Sequence, residues 1–190
     1  PDIGEYLRDY LKRYPETSVY VGTDSIYYQR GFAIYITVVA LYDEIRKDGV
    51  SYIFKKDEEH GKIDTFTKMW NEVSRSVDVA ELLEAELDGH VKRYDIEELM
   101  VMKRPEGGLY KVNQNKLVTI DVDVNPEDGD GKNKSNVAYE AVKGYLLGLG
   151  YRARFKPYAW AAQSAADFLV ERERKRQRSK QKKFKYGTTK

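Results

Sequence analysis

There is no cysteine among the 190 residues, so a disulfide scaffold, thiolate-ligated zinc and thiol catalysis are excluded together. Two histidines, His60 and His90, are too few for a multi-histidine metal site within one chain. No apolar run approaches the roughly 20 residues that span a bilayer, and no signal peptide opens the chain. Internal repeats and inter-domain linkers are also missing. Pro1 fits a removed initiator Met, and the expectation is a soluble cytoplasmic protein with no membrane partner. What is present suits a globular domain: 41% hydrophobic and 34% charged residues, with 16 Tyr and 6 Phe. That composition supports a packed core and rules out wholesale disorder. The length suits one sizeable domain rather than two.

The net charge of +2 hides a split. Residues 171–190 hold ten Lys/Arg against two Glu, which leaves residues 1–170 with 23 basic and 29 acidic side chains. An acidic body with a basic tail suggests a polyanion held by the tail near a body that binds cations. Arg172, Arg174, Lys175, Arg176 and Arg178 are the expected nucleic-acid contacts, and such contacts make affinity fall steeply with salt. The plainer reading is a solvated helix end that aids solubility.

Residues 2–14 carry Ile3, Tyr6, Leu7, Tyr10 and Leu11 at helical spacing and stop before Pro15, which predicts a short amphipathic helix. Residues 18–24 (SVYVGTD), 32–42 (FAIYITVVALY) and 50–54 read as strands joined by short turns, an antiparallel meander. Asp64 caps a helix over 65–87 whose buried face runs Phe66, Met69, Trp70, Val73, Val77, Ala80, Leu83 and Leu87. Residues 88–116 are the least legible, and 96–102 read equally as helix or strand. Residues 117–124 (LVTIDVDV) form a strong strand. A polar loop ends at a cap, Ser135, and opens a helix to about 149 that Gly150 closes. A short strand over 151–156 precedes a last helix reaching about 176.

Within this order, several carboxylates stand where burial is expensive. Asp24 ends an otherwise apolar strand, and Asp121 and Asp123 alternate with Ile120, Val122 and Val124. Two carboxylates on one side of a core strand repel, and a cation relieves them. The alternatives are a turn-initiating Asp24 and a solvated or edge-facing Asp121. Glu72 sits near the centre of its helix, where a Glu is commonly just a solvated helix former. Asp167 lies in the almost uncharged stretch AAQSAADFLV, where an unpaired carboxylate is costly. Asp121-x-Asp123-x-Asn125 begins like a calcium loop, but Pro126 replaces the needed Gly and Lys132 the bidentate Glu. Residues 129–133 (GDGKN) lack the first Gly and the final Ser/Thr of a phosphate loop.

The strand and helix order, with Asp on the first strand, Glu on the first covering helix, Asp on the fourth strand and Asp on the last helix, resembles the ribonuclease H-like fold. More narrowly, Val21-Gly22-Thr23-Asp24-Ser25, Asp123-Val124-Asn125-Pro126, Lys134-Ser135-Asn136, Gly150-Tyr151 and Lys156-Pro157-Tyr158-Ala159-Trp160, followed by Asp167, resemble the YkuK-type family of bacterial and phage proteins. The resemblance covers roughly residues 15–170. It implies an α/β domain over 1–170, a mixed five-stranded sheet (three antiparallel strands, then two parallel) with covering helices. Residues 88–116 would be an insertion and 171–190 a basic tail. It further implies that Asp24, Glu72, Asp123 and Asp167 bind two Mg²⁺ or Mn²⁺ ions, with Asp121 behind them. Such a site hydrolyses phosphodiesters, one ion activating water and the other stabilising the leaving oxygen. Lys134 or Lys156 would meet a backbone phosphate, and Trp160 or Tyr158 a base, with core packing the stronger expectation for Trp160. No basic protrusion in the body points to a hybrid-specific ribonuclease. Against the metal-dependent nuclease stand a non-catalytic nucleic-acid binder of the same fold and an interaction module whose acids are simply solvated. DNA or RNA as partner, endo- or exonucleolytic action and oligomeric state are not readable.

Overall fold

Runs dense in β-branched and aromatic residues fold back on one another as three long antiparallel strands, β1 (Thr17–Tyr28), β2 (Phe32–Asp43) and β3 (Val50–His60). The computed structural model describes residues 3–28, 31–43, 47, 50–87, 102–103, 109–110, 116–124, 134–156 and 158–186. Ahead of the strands lies helix α1 (Ile3–Arg13), and after them helix α2 (Thr65–Leu87). A two-residue hairpin, β4 (Met102–Lys103) and β5 (Leu109–Tyr110), is the described part of the illegible segment. Then follow β6 (Val118–Val122), α3 (Lys134–Gly148), β7 (Arg152–Phe155), a π-helical segment (Ala161–Ala166) and α4 (Asp167–Tyr186).

The five long strands form one sheet in the order β3-β2-β1-β6-β7, with β1, β6 and β7 mutually parallel. This is the expected mixed sheet. Strand alternation sends Val19, Val21, Val39, Leu41, Val118 and Ile120 to one face, where Leu7, Val73, Val77, Leu83, Val142 and Leu146 of α1, α2 and α3 meet them. Tyr20, Ile34, Ile36, Val38 and Ala40 face the other way onto Ala166, Leu169 and Val170. Residue 170, the expected boundary with the basic tail, lies within α4, whose Glu173 pairs with Lys56 of β3.

Several expected boundaries shift. The first strand runs on to Tyr28, which stacks on Phe32 across the hairpin with ring centroids 4.6 Å apart. The third continues through Lys55–His60, a charged stretch with no strand-like pattern. Pairing with β2 supplies its ladder, and its charges are matched by Lys56–Glu173, Arg75–Asp57 and Arg75–Glu59 contacts. Phe66, expected on the buried face of α2, is 48% exposed and stacks on Trp70 at the first turn. The Asp64 cap is as expected, its carboxylate accepting the Thr67 N–H at 3.0 Å. The helix α3 starts at Lys134, so Ser135 lies just inside it. The loop 125–133 lies outside the described residues.

Gly150 ends α3 as a Schellman turn. Its φ is 79°, its N–H donates to Leu147 O at 3.0 Å, and the Tyr151 N–H donates to Leu146 O at 3.0 Å. A side chain at this φ is strained by about 1–2 kcal/mol. Gly150→Ala is therefore expected to lower stability by that amount while Gly150→Asn loses less, measured by denaturant titration. Equal losses would show that packing, not backbone conformation, fixes the residue.

Candidate active site

The parallel pairing of β1 with β6 stops at Gly22↔Asp121, while β1 continues against β2 for six further residues. The two strands part there, and the crevice beyond the carboxyl ends of parallel strands is where α/β sheets bind ligands. Asp24 and Asp123 each lie two residues past that last pair. Glu72 reaches the same place from α2, so strand alternation and helix placement together gather three acids.

Their surroundings fix them individually. Ser25 donates its hydroxyl to Glu72 Oε1 at 2.6 Å and its N–H to Asp24 Oδ1 at 2.7 Å. Behind them the Thr23 hydroxyl bonds Thr37 at 2.9 Å and Ser76 at 2.8 Å, and Ser76 Oγ donates to Glu72 O at 3.1 Å. This buried hydroxyl ladder ties β2, β1 and α2 into one frame. Lys68, one turn before Glu72, places its ammonium 3.0 Å from Glu72 Oε1. Lys156 lies 2.5 Å from Asp123 Oδ1, which is buried and accepts no aligned hydrogen bond.

The electrostatics record the crowding. Burial first, then the charges of Glu72 and Asp123, push the Asp24 carboxyl up to about 7, against the opposing pull of the Ser25 N–H and Lys68. Burial likewise raises Glu72, with Lys68 and Ser25 working the other way. Burial disfavours the Lys68 ammonium, but Glu72, Asp24 and Asp123 outweigh it and hold the group above its ordinary value.

The acids are close enough to feel one another without yet forming a ligand shell. Among the described residues, no three acidic or imidazole groups stand close enough to hold one ion. The donor set nonetheless fits a hard cation: all-oxygen groups, a buried Asp123 oxygen whose neighbour, the Lys156 ammonium, makes no aligned hydrogen bond to it, and a small cavity between α2, β1 and β6 that Glu72 and Asp123 line.

Asp121 is placed differently. It is fully buried and grips Arg154 with both oxygens, Nε to Oδ1 at 2.8 Å and Nη2 to Oδ2 at 2.9 Å. Asp121 and Arg154 are register partners on β6 and β7, and Asp123 meets Lys156 two residues further on, just past the ends of both strands. The cation that relieves Asp121 is thus an arginine of this chain. Its guanidinium also lies over Tyr20 at 3.8 Å and near Trp160 at 5.6 Å.

Asp167 opens α4 with an exposed side chain. The expectation that it is buried is corrected: Ala166, Leu169 and Val170 take the sheet-facing positions, and helical rotation turns Asp167 away from them. Trp160 packs edge-on to Tyr20 and Tyr42, as core packing required, whereas Tyr158 is 75% exposed. Lys134 begins α3, and its side chain lies outside the described residues. Lys156 is engaged by Asp123 rather than turned to solvent alone. Arg172, Lys175, Arg176 and Arg178 are exposed and Arg174 is half-exposed. The residues missed from sequence are Lys68, Ser25, Ser76 and Arg154. For Lys68 and Ser76 a signal existed, since with Glu72 they form a polar i, i+4, i+8 stripe along one side of α2.

Among the described residues no helix is long and apolar enough to cross a membrane. A family model described as ribonuclease H-like matches residues 2–170, and the chain belongs to that family. No curated protein and no solved structure matches it.

Proposed function

We propose that this ribonuclease H-like protein is a metal-dependent nuclease. The observation that carries the reading is the gathering of Asp24, Glu72 and Asp123 where β1 and β6 part, with two lysines drawn in beside them. Clustered carboxylates repel one another and repel a phosphate backbone, so the arrangement serves a polyanion only when cations stand between. Asp24, Glu72, Asp123 and Asp167 would hold Mg²⁺ or Mn²⁺, two ions being the expected number. When bound, such ions stabilise the attacking and leaving oxygens of phosphodiester hydrolysis.

The chain's own residues do the rest. Ser25 and Ser76 hold Glu72 in place, and Arg154 keeps Asp121 from adding a further free charge. Lys68 and Lys156 balance the acids, and with a cation bound beside those acids their ammonium groups would be available to backbone phosphate.

The test is a labelled panel of single- and double-stranded DNA and RNA, hybrid and branched junction, incubated with Mg²⁺ or Mn²⁺. The expected result is cleavage of at least one substrate, lost with chelator and in Asp123→Asn. The second reading, a non-catalytic nucleic-acid binder, is favoured by one observation: both Glu72 and Asp123 already have lysine partners. Intact substrates throughout, with tight and salt-sensitive binding, would select it.

A further inference from the structure

The basic helix α4 is clamped in one orientation. Glu173 is buried and accepts from Lys56 Nζ at 3.0 Å and Gln177 Nε2 at 2.9 Å, while Ala166, Leu169 and Val170 pack on the sheet. With that face fixed, helical rotation turns Phe168, Arg172, Lys175 and Ser179 outward as one stripe, at i, i+4, i+7 and i+11. All four are exposed, Phe168 by 61%.

The charges along the helix are not equivalent. Arg174 pairs with Glu171, and Arg176 lies 3.7 Å from Glu173. Arg172 and Lys175 make no ion pair with any described residue, so their charges remain available on the same stripe as the ring. An aromatic ring held open to water beside unmatched cations lowers neither the energy of the core nor that of the helix. Its face is complementary to another π-face, and the flanking cations are complementary to anions spaced along a chain.

We propose that this stripe binds single-stranded nucleic acid, Phe168 stacking on an unpaired base while Arg172 and Lys175 neutralise neighbouring phosphates. A duplex keeps its base faces covered by their neighbours and offers the ring nothing to stack on, whereas a single strand offers both partners at once. Arg172 and Lys175 follow Phe168 by about 6 Å and 10 Å along the helix axis, within reach of adjacent backbone positions. Phe168 is next in sequence to Asp167, so a captured strand begins beside a carboxylate assigned to the metal site. The inference rests on the nuclease reading for that last role and narrows its substrate to unpaired strands.

Binding is measured by fluorescence anisotropy in chelator, on labelled oligothymidylate and on a fully paired blunt-ended duplex, over a range of salt. Phe168→Ala is expected to weaken oligothymidylate binding about tenfold with the duplex affinity unchanged, and Phe168→Trp to preserve it. Arg172→Ala and Lys175→Ala should each flatten the single-strand salt slope by about 0.7, which Phe168→Ala leaves intact. Equal losses on strand and duplex, or no loss on the strand, would overturn the proposal. So would a change in sedimentation of Phe168→Ala with unaltered strand binding, which would mark the ring as a contact between protein molecules. Because no ion is present, a protein that never cleaves can still pass this test, and an active nuclease can still fail it.

Discussion

Asp24→Asn is expected to abolish metal-dependent cleavage and, in chelator, to make the protein more stable than the wild type at pH 8. The sign follows from linkage. The Asp24 carboxyl titrates near 7 in the fold against 3.8 in the unfolded chain, so the fold binds its proton more tightly. The stabilising effect of that proton is complete below about pH 4 and is lost as pH rises through about 7. Across that window the wild type declines, while the Asn variant, whose Oδ1 can still accept the Ser25 N–H, lacks this contribution. The ceiling on the difference at pH 8 is about 4 kcal/mol, and solvent screening at a partly buried site reduces it to about 2 kcal/mol. For a chain of this length that is roughly 4–8 °C in Tm. Mn²⁺ should reverse the order. An ion at 100 times its Kd stabilises the wild type by about 2.7 kcal/mol and leaves the variant nearly unmoved. Thermal melts at pH 5 and pH 8, with and without Mn²⁺, read all of this. An equal Mn²⁺ response in both proteins would remove Asp24 from the metal site.

The same residues show what a sequence carries and what it leaves out. The sheet was legible because its strands are written in β-branched and aromatic residues whose alternation survives on both faces, as in residues 18–24 and 32–42. The last six residues of β3 were not, because nothing in KKDEEH favours a strand; its partners, β2 and the side chains of Arg75 and Glu173, lie elsewhere in the chain. At the site, Asp24 and Asp123 could be singled out since a carboxylate beside apolar strand residues is conspicuous. Glu72 could be placed only by its position in a helix. What sequence did not supply was the counterions. Asp121 and Asp123 looked like a pair awaiting a cation, and the cations are two residues apart on the neighbouring strand: Arg154 and Lys156 repeat the spacing of the acids they meet. Period-two alternation of acid on one strand and base on another becomes a pairing signal only once the strands are known to be adjacent. For Asp167 the local composition misled, because an uncharged neighbourhood in sequence wraps around a helix and leaves one side in water.

Arg154→Met should produce the largest loss of stability among single substitutions near the site, about 3–5 kcal/mol. Asp121 is fully buried, and removing the guanidinium takes away both of its fork contacts, 2.8 and 2.9 Å, along with the stacking on Tyr20. Tm should fall by roughly 10 °C or more. Arg154→Lys keeps the charge but not the fork, and should recover only part of the loss, since an ammonium cannot meet both oxygens in one plane. The decisive variant is the double, Asp121→Leu with Arg154→Met, in which no charge is left to be desolvated. Because burying an ion pair costs about as much as its attraction returns, an apolar pair of similar volume should restore wild-type stability or exceed it. A double variant as unstable as Arg154→Met alone would mean that the pair's fixed geometry, rather than its balanced charge, holds β6 against β7. If stability returns, the pair's place in the fold is explained by what it does beside the site: Asp121 stands two residues before Asp123 on the same strand face, and Arg154 prevents it from competing for the cation that Asp24, Glu72 and Asp123 would share. The double variant should then keep its Mn²⁺-induced rise in Tm, because its acids of the crevice are untouched.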